Sequence, residues 1–297
     1  MHTYDLWSRG GRDRVMGMGR YERPHSLARA LELAKAGFRP LAGGTDLFPA
    51  ATDRELSGPL LDLTAVEELC AITLDRQGLR IGGAVTWAAI ARADMPPALA
   101  ALQQAARDVG GRQIQNAGTI GGNLCNASPA ADGVPPLLVL EAEVELAGPD
   151  GLRRLALSDF LTGPRRTALA SGEILAAVWI GRNALMGRSV FRKLGARRFL
   201  VISIASVAVR IVEREGRIAK ASVAVGSCSP VARRLSAVEA ALDGQALQGA
   251  AERVTDAMVA AVLEPITDVR ASAGYRAAAA AELVRRAIAD LGGGSDG

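Results

Sequence analysis

Two short stretches gather residues able to hold an anion without a strong positive charge. They are Leu41-Ala42-Gly43-Gly44-Thr45-Asp46-Leu47 and the run NAGTIGGNLCNASPAAD from Asn116 to Asp132. In the first, a Gly-Gly pair follows a short predicted strand at Leu41 and Ala42. Glycine reaches left-handed backbone conformations without steric cost, so successive N–H groups can converge on anionic oxygens. Thr45 adds a hydroxyl donor, and Asp46 can accept from a sugar or hold the turn. Taken alone, GGxD is more often an ordinary tight turn. In the second stretch, Gly118, Gly121 and Gly122 leave one side of the chain bare. Thr119, Asn123 and Asn126 supply neutral donors and acceptors, and Asp132 supplies a carboxylate. The run has neither helical nor strand periodicity and reads as a loop. It holds no phosphate-binding lysine, so it is not a P-loop, and it lacks the G-x-G-x-x-G spacing of a Rossmann turn. Bare backbone with neutral hydroxyls suits a dinucleotide pyrophosphate, and two such nests could clamp one from two sides.

The elements that must position these stretches follow from periodicity and caps. Ser26 caps a predicted helix with Leu27, Leu31 and Ala34 as its apolar stripe and Gly37 as its close. Strands are expected at residues 60–63 and within LRIGGAV, and a helix over 97–109 runs into the second stretch. An alternating strand over 141–147, a GPDG turn, a return over 152–155 and a strand over 173–180 complete the middle of the chain. From Ser189 onward, two strands around EREG and two or three alanine-rich helices read as a self-standing α+β module. The expected layout is an N-terminal tail (1–20), a first unit (21–75), a second (76–185), a C-terminal α+β domain (186–291) and a flexible tail (292–297).

Composition removes several classes. The chain has 297 residues, 49% of them hydrophobic, which is enough for a sizeable core. Net charge is only +4, and aromatics make up 4%, so the basic face interleaved with aromatics that nucleic acid requires is absent. No apolar run approaches the ~20 residues of a membrane span, and the first residues carry charge but no apolar core, so a cytoplasmic protein is expected. Three scattered cysteines form neither a disulfide framework nor an iron–sulfur or metal-ligand spacing, and two histidines leave no triad or zinc site. No metal ligand is therefore expected, the chemistry has to be carried by a bound cofactor or by carboxylates and lysines, and no residue stands out as catalytic.

PLAGGTDLFP, NAGTIGGNLCNASPAAD, FRKLGARR and DVRASAGYRAAAAAELVRRA, in that order, resemble the FAD-binding (medium) subunit of molybdenum hydroxylases. That family includes the carbon monoxide and xanthine dehydrogenases. The resemblance spans residues 21–291. It implies a vanillyl-alcohol-oxidase (PCMH)-type α+β fold, two subdomains gripping noncovalent FAD, followed by a C-terminal domain of the CO dehydrogenase flavoprotein type. It implies that residues 41–47 lie along the FAD pyrophosphate and ribityl chain, with Gly118, Thr119, Gly122 and Asn123, beside Gly121, as the opposing wall. Asp132 would accept hydrogen bonds from the cofactor, and Leu175 would pack against it. Lys193 would lie near the isoalloxazine, where a cation favours the negatively charged reduced flavin. A solvated lysine at a strand end is the alternative for that residue. The resemblance further implies partners: a large subunit carrying the molybdenum cofactor (molybdopterin), a small subunit with two-iron two-sulfur clusters, and an external electron acceptor. Where the family commonly has Asp-Ile-Ala, this chain has Val201-Ile202-Ser203. A stand-alone flavin oxidoreductase and a cofactor-free assembly subunit remain alternatives.

Overall fold

The computed structural model describes residues 20–51, 58–197 and 201–293. Except for Arg20, the expected N-terminal tail lies outside these residues. The C-terminal tail was expected from residue 292, but the last helix runs on through Gly293, and 294–297 lie outside the described residues.

The chain opens with a parallel sheet in which Tyr21–Glu22 and Arg39–Leu41 both pair with Leu60–Asp62. Helix Leu27–Lys35 joins the two outer strands. Ser26 accepts from the Arg29 N–H as its cap, and Gly37 leaves it at φ +87°. The face it buries is Ala30, Leu33 and Ala34, with Leu27 and Leu31 only half covered. The apolar stripe therefore sits about one residue round from the Leu27, Leu31 and Ala34 reading, because the small Ala30 lets the helix lie close on the sheet.

The second sheet is antiparallel throughout, in the order Ile72–Leu74, Gly78–Gly82, Ile174–Gly181, Glu143–Gly148, Gly151–Ala156. Its first edge strand thus comes from within residues 21–75. A bulge at Leu175/Ala177 interrupts its pairing with Glu143–Gly148. The glycine-rich run read as a loop is instead largely helical, with Arg112–Ala117 followed by Ile120–Asn126. Thr119 is the second helix's cap, its hydroxyl oxygen accepting from the Gly122 N–H at 3.0 Å. Glycine inside a helix costs about 1 kcal/mol against alanine, and here tertiary contact overrides that propensity.

A third antiparallel sheet runs in chain order, Arg188–Leu194, Ala205–Arg214, Arg217–Gly226 and, at its edge, Arg233–Arg234. One face packs Val207 and Val209 against the long helix Ala273–Gly293, and Val223 and Val225 join the same core on the strand that helix Ser236–Leu242 covers. The other turns Phe191, Ala208 and Ala224 into the core of the preceding residues, against helices Ala100–Asp108 and Val134–Val139. The C-terminal third thus packs against the preceding residues across this face. Its sheet is sandwiched, which is why Ala205–Arg214 is buried on both faces for eight residues running. Among the described residues no helix is long and apolar enough to cross a membrane.

Arg210 fixes this junction. It is 1% exposed, and its guanidinium donates to the carbonyls of Val139 at 2.8 Å and Ala184 at 3.1 Å. We predict that Arg210→Ala, which strands these carbonyls, lowers unfolding free energy by roughly 3–5 kcal/mol. Arg214→Ala, on the exposed end of the same strand, should cost less than about 0.5 kcal/mol. Denaturant midpoints of the two variants compare the sites directly.

Candidate functional site

The three sheets meet around one cleft of about 920 Å³. Leu41, Ala42, Gly43, Gly44, Thr45, Asp46 and Leu47 line one wall. Gly118, Thr119, Gly121, Gly122 and Asn123 line the facing wall, and Asp132, Leu175 and Lys193 also open onto it. All the residues singled out from the sequence are thus brought to one place.

Backbone contact without side chains sets the geometry of the walls. A Cβ on Gly43 would overlap the carbonyl of Ala117, so the first loop touches the second directly. A Cβ on Gly121 would collide with the backbone of Gly83, and one on Gly83 with the carbonyl of the bulged Leu175. The Gly121 N–H already donates to Gly83 O at 2.9 Å. Gly121 is bare for packing, and Gly122, which is exposed and meets only Thr119 Oγ1, is bare toward the cleft. Thr119 is 2% exposed and its oxygen is engaged in the cap, so its main role is to build the wall.

The donors fit an anionic dinucleotide. Among the described residues, the successive N–H groups of Ala42, Gly43, Gly44, Thr45, Asp46 and Leu47 meet no acceptor. Gly44 sits at φ +67°, a left-handed conformation that turns the N–H direction within this run. Asn123 Oδ1 is buried without a partner. Buried polar groups normally find partners, and the described residues supply this acceptor with none.

The carboxylates of the cleft are paired. Asp132 and Lys193 form an ion pair at 2.6 Å with side chains 8% and 9% exposed, and Ser203 Oγ donates to Asp132 Oδ1 at 2.5 Å. Burial pushes the Asp132 carboxyl above the usual carboxylate range, against the pull of Lys193 and Ser203. Lys193 is therefore not a solvated strand-end lysine. Glu173 is clasped by Arg153 at 2.6 and 2.8 Å, and that guanidinium holds its carboxyl below the usual range. Arg165 joins the two loops at the rim, 4.0 Å from Asp46 and bonded to Asn126.

Sequence reasoning missed Gly83, Trp87, Arg165 and Ser203, all but Ser203 lining the cleft. Gly83 was discernible as the second glycine of a pair ending a strand. Ser203 stands at the departure from Asp-Ile-Ala, and that departure was its signal. Arg165 is one of several paired arginines with no distinguishing pattern, and Trp87 reads as an ordinary core residue.

Residues 16–182 match the family model described as the FAD binding domain in molybdopterin dehydrogenase, and residues 190–291 that of the CO dehydrogenase flavoprotein C-terminal domain. The chain is 32% identical to the nicotine 6-hydroxylase medium subunit of Paenarthrobacter nicotinovorans, over 92% of this chain and 97% of that one. It is 31% identical to the carbon monoxide dehydrogenase medium chain of Afipia carboxidovorans, covering 92% and 96% respectively. Among solved structures, reconstituted CO dehydrogenase from Oligotropha carboxidovorans superposes with a TM-score of 0.81 at 31% identity, covering 92% of this chain and 96% of that one. Quinoline 2-oxidoreductase from Pseudomonas putida 86 gives 0.82 at 26%, covering 93% and 97%.

The division of labour between the two helix glycines is testable. We expect Gly122→Val to fold with a near-normal melting temperature and to lose at least about tenfold in bound flavin per chain, because its new side chain projects into the cleft. Gly121→Val should instead lower the melting temperature, through its clash with Gly83. Flavin absorbance per chain and thermal denaturation separate the two outcomes.

Proposed function

The chain belongs to the FAD-binding subunits of the molybdopterin-dependent (molybdenum) hydroxylases, a family of oxidoreductases, and on that footing we propose that it relays electrons from iron–sulfur clusters on a partner subunit, through FAD, to an external acceptor. The observation that carries this reading is the cleft, in which unpartnered N–H groups face a glycine-bare wall and one buried ion pair.

FAD, when bound, supplies the one- and two-electron chemistry. The chain's part is to bind and orient. In this reading, the N–H groups of residues 42–47 take the pyrophosphate oxygens, Thr45 and Asn123 add neutral polar contacts, and Arg165 supplies positive charge at the rim. Leu175 packs against the cofactor, and Lys193 places an ammonium beside the isoalloxazine. Binding is noncovalent, since among the described residues the cleft lining holds no histidine to which a flavin could be linked. The cleft's carboxylates Asp46, Asp132 and Glu173 each have a cation as neighbour, which suits holding a cofactor better than moving a substrate proton.

The partners in this proposal are a molybdenum-cofactor large subunit and a two-iron two-sulfur small subunit, since the relatives are named as medium subunits or chains. The proposed location is the cytoplasm. Anaerobic addition of the large subunit's substrate to the assembled complex should bleach the flavin, whereas the isolated chain should not respond. Turnover of a substrate by the isolated chain would make it a stand-alone oxidoreductase.

Lys193→Met should leave FAD bound and lower its reduction potential by roughly 30 mV or more, about 1.4 kcal/mol for a two-electron couple. Spectroelectrochemical titration reads this, and an unchanged potential would remove Lys193 from the ring.

A further inference from the structure

We infer that Ser203 is a positioning residue: its hydroxyl fixes the Asp132 carboxylate against Lys193 and so governs the charge that the ion pair presents to the cleft. This rests on the reading that the cleft holds FAD with Lys193 beside its ring.

Three segments converge here. Asp132 lies in the turn before helix Val134–Val139, Lys193 near the end of strand Arg188–Leu194, and Ser203 just before strand Ala205–Arg214. One Asp132 oxygen takes the lysine at 2.6 Å, and the other takes the Ser203 hydroxyl at 2.5 Å. A carboxylate this buried is costly unless both oxygens are engaged, and the lysine can satisfy only one of them in this geometry. Asp132 is 7% exposed and Ser203 1%, so water is a poor substitute for the hydroxyl. The neighbouring buried hydroxyls of Ser206 and Ser227 have no partner, whereas Ser203 donates to the carboxylate.

The segment bearing Ser203 is itself held. The Ile204 N–H donates to Leu194 O at 2.8 Å, and the guanidinium of buried Arg276 donates to Ile204 O at 2.7 Å. Arg276 also reaches Ser227 O at 3.1 Å, and the Ser227 N–H donates to Pro129 O, three residues before Asp132. The long C-terminal helix thereby presses donor and acceptor together. The charged groups facing Asp132 are Lys193 on its strand and Asp108 at the end of helix Ala100–Asp108, whose charge opposes ionisation and whose carbonyl takes Lys193 at 3.3 Å. Ser203 adds an uncharged donor that favours the ionised carboxylate, which neither of those groups can replace.

The test uses the full chain as Ser203→Ala and Ser203→Thr. Carbonyl-carbon NMR of the flavin-free protein follows Asp132 through pH. Removing a hydrogen bond to the charged form should move its titration up by about one to two pH units in Ser203→Ala, and Ser203→Thr should return it to the wild-type midpoint. In the flavin-loaded chain, the bend in the plot of reduction potential against pH should move by the same amount. An unshifted Asp132 midpoint in Ser203→Ala overturns the positioning role. A shifted midpoint with an unmoved potential profile overturns the link to the cleft. If Lys193→Met also leaves the potential unchanged, the failure lies with the flavin reading, and if only Ser203→Ala leaves it unchanged, the failure lies with Ser203. Should Ser203→Ala not fold, a Ser203→Thr protein with a displaced midpoint would equally overturn the role.

Discussion

The structure depends on backbone meeting backbone. Gly83 lies between the start of helix Ile120–Asn126 and the bulge at Leu175, with no room for a methyl group on either side. Gly43 meets Ala117 in the same way. Such contacts keep these positions bare of side chains, and the Gly121–Gly83 hydrogen bond pins the wall to the second sheet. Each glycine raises the conformational entropy lost on folding by an amount worth roughly 0.5–1 kcal/mol relative to alanine. The core behind it, built from fully buried residues such as Leu102, Ile120, Leu124 and Val178, offsets that cost. The result is a wall of peptide groups held rigidly by the scaffold, which a site needs if its donors are to be placed before the ligand arrives.

Electrostatics follow from that wall. Peptide N–H groups attract anionic oxygens without adding a net charge, so the loops need no lysine of their own. The buried Asp132–Lys193 ion pair lies elsewhere, where the C-terminal sheet reaches the cleft. Leaving either partner of such a pair alone in a low-dielectric site costs several kcal/mol. Asp132 and Lys193 are accordingly tied to further groups, Ser203 and the Asp108 carbonyl, and the pair is held at both ends.

How far the sequence discloses this depends on whether a constraint is written into residue type. Close backbone approach demands glycine, so both loops stand out at once. The α+β class and the strands on either side of EREG are equally plain from alternation and turn residues. Helix Ile120–Asn126 is hidden because its glycines and asparagines carry poor helix propensity, and only the Thr119 cap and burial make it helical. The shifted stripe of helix Leu27–Lys35 is hidden for a related reason, since Ala30 counts as weakly apolar until a sheet is packed upon it. Ser203 and Arg165 are ordinary residue types whose roles exist only through distant partners, 71 and 39 residues away. No local pattern encodes such pairs.

The buried arginines explain why a cleft assembled from three sheets can behave as one site. Arg210 ties the C-terminal sheet to the carbonyls of Val139 and Ala184, and Arg276 ties the last helix to the segments bearing Ser203 and Ser227. Neither bond set lies in the cleft, yet both fix where Lys193 and Ser203 stand relative to Asp132. A ligand gripped by the first loop, the glycine wall and the Lys193 corner touches all three units at once. Any group bound there stabilises their association by mass action, because it binds the docked arrangement and not the separated one. Packing of the C-terminal sheet and completion of the cleft are, on this physical ground, coupled. The buried arginines then serve the cleft as much as the core.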